Sequence, residues 1–113
     1  MIARVPFLSG PFQLTQQTVM MVVRQKSIGA YALGTTQLGR ILPLYVGRSG
    51  EDLQGRLLKH VMKYSNFGFS YALSPMGAYQ LECEMYHYWK PRDNAVHPAR
   101  PDGSNWRCPI CTQ

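Results

Sequence analysis

Acidic residues are scarce in this sequence: 113 residues contain 6 Asp and Glu against 12 Lys and Arg, and no acid lies between Ser9 and Gly50. The resulting formal charge of +6 excludes an acidic, solvating chain and favours a polyanionic partner, because phosphates neutralised by basic side chains release condensed counterions. Long apolar runs are missing too. The longest candidate, Val19 to Val23, falls far short of the roughly 20 residues a membrane span requires, so no membrane partner is expected. No signal-peptide pattern follows the segment Met1 to Gly10. Cysteine is limited to 3 residues, an odd count that argues against a disulfide scaffold and for reduced thiols in a cytoplasmic setting. Internal repeats and low-complexity segments are absent, whereas a 45% apolar content is enough for one core.

What is present reads as one small domain. Residues 1–27 form a lead-in carrying a short helix. Met1 to Thr15 packs through Phe7 and Phe12, and Thr15 caps a helix over Gln16 to Arg24 with Val19, Val22 and Val23 facing inward. Two apolar runs, Gly29 to Thr35 and Ile41 to Val46, read as a β-hairpin. Ser49 offers an N-cap, with Asp52 three residues on, for a helix running to about Tyr64. Its buried stripe is Leu53, Leu57, Val61 and Tyr64, and Arg56, His60 and Lys63 make a cationic face. Phe67 to Leu73 is a third strand. Ser74-Pro75 then starts a helix that ends near Trp89, before Pro91, with Ala78, Leu81, Met85 and Trp89 inward and Glu82 at the stripe's edge. The expected fold is α+β: a three-stranded antiparallel sheet flanked by helices, followed by a loop-rich, cysteine-bearing tail at 95–113.

Four features call for one explanation: Gly29-Ala30-Tyr31, Tyr45-Val46-Gly47, Arg56 with His60, and Glu82 on a later helix. Taken singly, each has an ordinary use. Strand tyrosines pack, surface bases are solvated, and a lone histidine sits on the surface. Glu82 is harder to place, because a carboxylate bordering an apolar stripe is costly without a partner. In this order, however, the set resembles the GIY-YIG nuclease family, named for two tripeptides on adjacent strands. Gly-Ala-Tyr matches the first tripeptide with alanine in its middle, and Tyr-Val-Gly matches the second. Arg-Leu-Leu-Lys-His, Arg56 to His60, resembles the family's arginine helix, and Ala78 to Glu82 its glutamate segment. Pro91 and Asn94 follow Glu82 in the order and spacing found in the GIY-YIG half of the excision-repair incision subunit. The stretch from Tyr45 to Arg56 is one residue longer than in repair-type sequences, with Gly50-Glu51 filling it.

The resemblance covers Gly29 to Asn94, within a nuclease core at 28–94, and implies a metal-dependent endonuclease that hydrolyses DNA to a 3′-hydroxyl and a 5′-phosphate. It implies catalytic roles for Tyr31, Tyr45, Arg56, His60 and Glu82, and site-bracing roles for Gly47 and Asn94. The chemistry is coherent by itself. Glu82, with water and phosphate oxygens, can hold Mg²⁺ or Mn²⁺, and Arg56 offers planar donors to a phosphate. Tyr31 or Tyr45, with an ordinary pKa of about 10, can take a proton from water once a cation lies nearby, and sequence does not choose between them. Arg48, Lys59 and Lys63 are the expected substrate-binding bases. The alternative is a non-cleaving nucleic-acid-binding module on the same fold. A single domain leaves target specificity to the DNA's structure, to a partner protein or to a homodimer.

Cys108-Pro-Ile-Cys111 has the spacing of half a zinc site. Cys83 and His87, four apart on the last helix, can supply the other half, with His97 as the competing fourth ligand. Two other readings are a redox pair, although no thioredoxin-like strand precedes these cysteines, and ordinary tail thiols with no ligand role.

Overall fold

The computed structural model describes residues 8–111. Its elements are β1 (Ser9–Gln13), α1 (Gln16–Val22), β2 (Gly29–Gln37), β3 (Arg40–Ser49), α2 (Leu53–Leu58), β4 (Asn66–Tyr71) and α3 (Pro75–Trp89). The four strands form one antiparallel sheet in the order β1-β4-β2-β3, so the protein is α+β with helices on both faces. The sheet has four strands, not the three expected from sequence. Part of the lead-in pairs with β4, Phe12 opposite Phe67, and a five-residue segment with glycine and proline carries no alternating pattern to announce it. The Phe12 ring meets that of Phe67 in a tilted contact at 5.5 Å, while Phe7 lies outside the described residues.

β2 is central, so Gly29 to Gly34 are buried on both faces and read as a continuous apolar run. One face carries Tyr31, Leu33, Phe67 and Phe69, which pack with Val19 and Val23 around α1 and Leu53 and Leu57 of α2. The opposite face carries Ala30, Ala32 and Val46 against Met85 of α3. Thr15 caps α1 by accepting from the Thr18 amide at 3.1 Å, and Ser74 caps α3 by accepting from Gly77 at 3.0 Å.

The second helix departs from expectation at both ends. Its cap is Asp52, which accepts from Gly55 N, while Ser49 Oγ accepts from the Asp52 amide and shapes the loop before it. The helix ends at Leu58 rather than near Tyr64. Lys59 and His60 close on the carbonyls three residues back, and Met62 turns the chain with φ 77°. Val61 and Tyr64 keep the inward period, so the pattern looked helical, but they pack from turns. This break moves His60 off the helix and toward β2 and β3.

β3 is an edge strand, which tolerates Pro43 and a bulge at Leu44. The chain after α3 covers that edge. Asp93 N donates to Leu44 O at 2.8 Å, Asn94 Oδ1 accepts from Val46 N at 2.8 Å, and Asn94 Nδ2 donates to Val46 O at 3.0 Å. Asn94 thus mimics a neighbouring strand beside Tyr45 and Gly47. Asn94→Ala is expected to cost about 1–3 kcal/mol by leaving both Val46 groups unpaired, read as a lowered thermal midpoint. An unchanged midpoint would show that water replaces both bonds.

Candidate functional site

A cleft of about 390 Å³ opens at the end of β3, between α2, the start of α3 and the tail. Among its lining residues are Tyr31, Tyr45, Gly47, Arg48, Arg56 and Glu82, so residues 51 positions apart in the chain share one hollow. β-sheet register explains the convergence. Tyr31 pairs with Gly47 and Leu33 with Tyr45, which puts both tyrosines on the α2 face. Arg48, one residue further, points to the α3 face and meets Glu82.

Glycine at position 47 is a steric requirement. A Cβ there would lie 2.5 Å from the Tyr31 hydroxyl and 2.6 Å from its ring carbon, because the Tyr31 ring lies across the glycine. Gly29 is equally constrained, by the Ser70 carbonyl and the Leu53 side chain.

The Tyr31 hydroxyl and His60 Nε2 are 3.2 Å apart, and the rings of Tyr31 and Tyr45 each lie 5.6 Å from the His60 ring. Burial, with the neighbouring Tyr45 adding to it, pushes the Tyr31 pKa well above its ordinary value, while the Arg56 guanidinium opposes the rise. Burial, reinforced by Lys63 and Arg56, pushes His60 below the ordinary 6.5. At neutral pH His60 is therefore neutral, and its Nε2 can accept a hydrogen bond from the Tyr31 hydroxyl.

Glu82 is 8% exposed and belongs to the inner face of α3, not to its margin as the sequence pattern placed it. Its Oε1 accepts from Arg48 Nη1 at 2.6 Å, yet burial outweighs this cation and holds the carboxyl pKa above its usual 4.5. Arg48 is held from further sides: its second arm donates to the Ala99 carbonyl at 2.7 Å, and its guanidinium lies 5.0 Å from the Tyr79 ring centre. Arg48, expected as a substrate-binding base, lines the cleft as the ion-pair partner of Glu82, and Arg56 is exposed at the cleft's rim.

A second hollow of about 390 Å³ adjoins the first through Tyr45 and is lined by His60, Lys63, Tyr64, Arg92 and Asp93. Lys63 is placed there. Lys59 is exposed and lines neither hollow. Arg92, and the tail residues Ala99, Pro101 and Trp106 that wall the first cleft, escaped the sequence reading. Irregular backbone has no period, and only the paired cysteines beyond it hinted that this tail folds back.

Four tail-side residues, His87, His97, Cys108 and Cys111, bring one donor atom each to within 4.8 Å of one another, a set that could hold a metal ion. His97 stands where Cys83 was the first expectation. Cys83 lies behind Cys108 in a buried cluster with Tyr79, and burial pushes its thiol up to about 12, so it is a protonated core residue. Comparison with known proteins finds no matching family model, no matching curated protein and no matching solved structure. Among the described residues no helix is long and apolar enough to cross a membrane.

Proposed function

We propose that this protein is a divalent-metal-dependent endonuclease of the GIY-YIG type that hydrolyses DNA phosphodiester bonds. The observation that carries the reading is the convergence of Tyr31, Tyr45, Arg56 and Glu82 on one cleft, with His60 on the Tyr31 hydroxyl. The donors fit Mg²⁺ or Mn²⁺, which takes one or two carboxylates and completes its shell with water and phosphate. Glu82 is the acid in the cleft lining, and its contact with Arg48 uses one oxygen. When bound, the cation would supply charge stabilisation to the phosphate and the leaving oxygen.

The chain's own residues do the rest. Arg56 grips the phosphate with planar donors. The attacking water gives its proton to the Tyr31 oxygen as the Tyr31 proton passes to His60 Nε2, leaving an imidazolium. Tyr45 packs against His60 and holds its ring. The basic walls, with Lys63 and Arg92 in the adjoining hollow, would track the DNA backbone. Two imidazoles and two thiolates are the donor set of Zn²⁺, the ion we assign to the tail.

A plasmid-nicking assay with Mg²⁺ and EDTA arms tests the enzyme. Wild type is expected to nick only with the metal, and Arg56→Ala to lose nicking. The second reading is a non-cleaving DNA-binding module, favoured by Arg48 already compensating Glu82 without a cation. Tight binding with no cleavage under any divalent ion would establish it instead.

The proton path has its own test. Tyr31→Phe is expected to slow cleavage about 10²–10⁴-fold while DNA binding persists. In wild type, the rate should fall on the acid side with its midpoint below the ordinary imidazole value of 6.5, since His60 is shifted down and its protonation removes the acceptor. An acid-side midpoint above that value would break the assignment.

A further inference from the structure

After α3 the described chain has no helix or strand, yet residues 97–106 lie in a definite path along that helix. Tyr79, Cys83 and His87 recur every four residues on α3 and form the face that the tail covers. Trp106 packs on Tyr79 at 6.0 Å, Cys108 is buried with Cys83, and the His97 ring meets His87 at 5.2 Å. A segment without backbone pairing needs another anchor, and the donor cluster lies where this cover ends.

Two details mark the cluster as a built ligand set. His87 Nε2 is buried without a hydrogen-bond partner, an unmet cost shared by no other buried side-chain nitrogen or oxygen among the described residues. His97 Nδ1 lies 2.9 Å from the Pro98 carbonyl, which fixes the proton on that nitrogen and turns Nε2 toward Cys111 Sγ at 3.5 Å. The Ile110 amide also points at Cys108 Sγ at 3.4 Å, a donor suited to a thiolate.

The same strap reaches the cleft. Two residues past His97, the Ala99 carbonyl holds one arm of Arg48, whose other arm holds Glu82, while Arg48 stacks over Tyr79. We propose that Zn²⁺ bound by His87, His97, Cys108 and Cys111 clamps the 97–106 strap onto α3 and thereby sets the Arg48–Glu82 pair. Arg48 is then a positioning residue, and the tail is a structural part of the cleft rather than an appendage. The meaning of this clamp for cleavage rests on the nuclease reading. The zinc set and the clamped strap do not.

The experiment uses the full chain and does not read activity. Zinc content is measured, and Co²⁺ replaces zinc to report tetrahedral coordination and thiolate charge transfer in the visible spectrum. One zinc per chain is expected in wild type. Cys83→Ala should keep it, with affinity weakened by no more than about 10–100-fold. His97→Ala and Cys111→Ser should lose it, and His97→Cys should restore it, which separates a lost ligand from a lost fold. Trp106 emission, isolated by Trp89→Phe, should shift to the red when wild-type zinc is chelated and return when zinc is added back. Wild type without a metal complex would overturn the site. Metal lost in Cys83→Ala but kept in His97→Ala would overturn the ligand set. Emission indifferent to chelation would overturn the clamp.

Discussion

Glu82→Gln is expected to cut Mg²⁺-dependent nicking by about 10²–10³-fold and to leave DNA binding nearly unchanged. Glutamine keeps the size of the side chain and an oxygen for Arg48 to donate to, so it removes the charge and little else. Alanine would be a poorer test. It would strand the Arg48 guanidinium, a loss costing about 3–5 kcal/mol in a fully buried pair and less here, where the side chains are 21% and 10% exposed. Stability gives a second readout. The folded-state pKa of Glu82 is raised, so its ionised form is a burden on the fold above the unfolded pKa. That burden lifts as pH falls through the raised folded value. Glu82→Gln should accordingly unfold no more easily than wild type near neutral pH. Full nicking by Glu82→Gln would remove the carboxylate from the reaction.

Gly47→Ala is the second large expected effect, and it should damage rate more than fold. The added methyl falls on the hydroxyl end of Tyr31, and the Tyr31 ring is 1% exposed, so it has no free side to retreat to. Overpacking of this kind costs about 1–3 kcal/mol. A displacement of even about 1 Å takes the hydroxyl off His60 and is worth about 10²-fold in rate. Comparison of thermal midpoint and nicking rate in one preparation checks both. A variant that loses stability but keeps its rate would show that Tyr31 is packing.

Sequence legibility followed the physics of each element. The hairpin of β2 and β3 and the α3 start at Ser74-Pro75 rest on local signals, apolar runs and a capping serine before proline, and the structure has them where expected. α2 misled because Val61 and Tyr64 keep helical spacing while packing from turns, and spacing alone does not distinguish the two. β1 went unread because its partner, β4, lies more than 50 residues away and its own five residues hold glycine and proline. The pairing of Arg48 with Glu82 went unread for a similar reason: it spans 34 residues and depends on how α3 crosses the sheet.

By itself, the sequence determined the residue types a phosphate-handling site would need, their order along the chain, the basic balance, and the cysteine spacing of the tail. These are matters of composition and local spacing. Tertiary structure alone decided that Tyr31 lies over Gly47 and beside His60, that Arg48 belongs to Glu82, and that His97 displaces Cys83 from the donor cluster. Each of those outcomes depends on strand register, a broken helix or the path of an irregular tail, and none of these has a period that a linear pattern can carry.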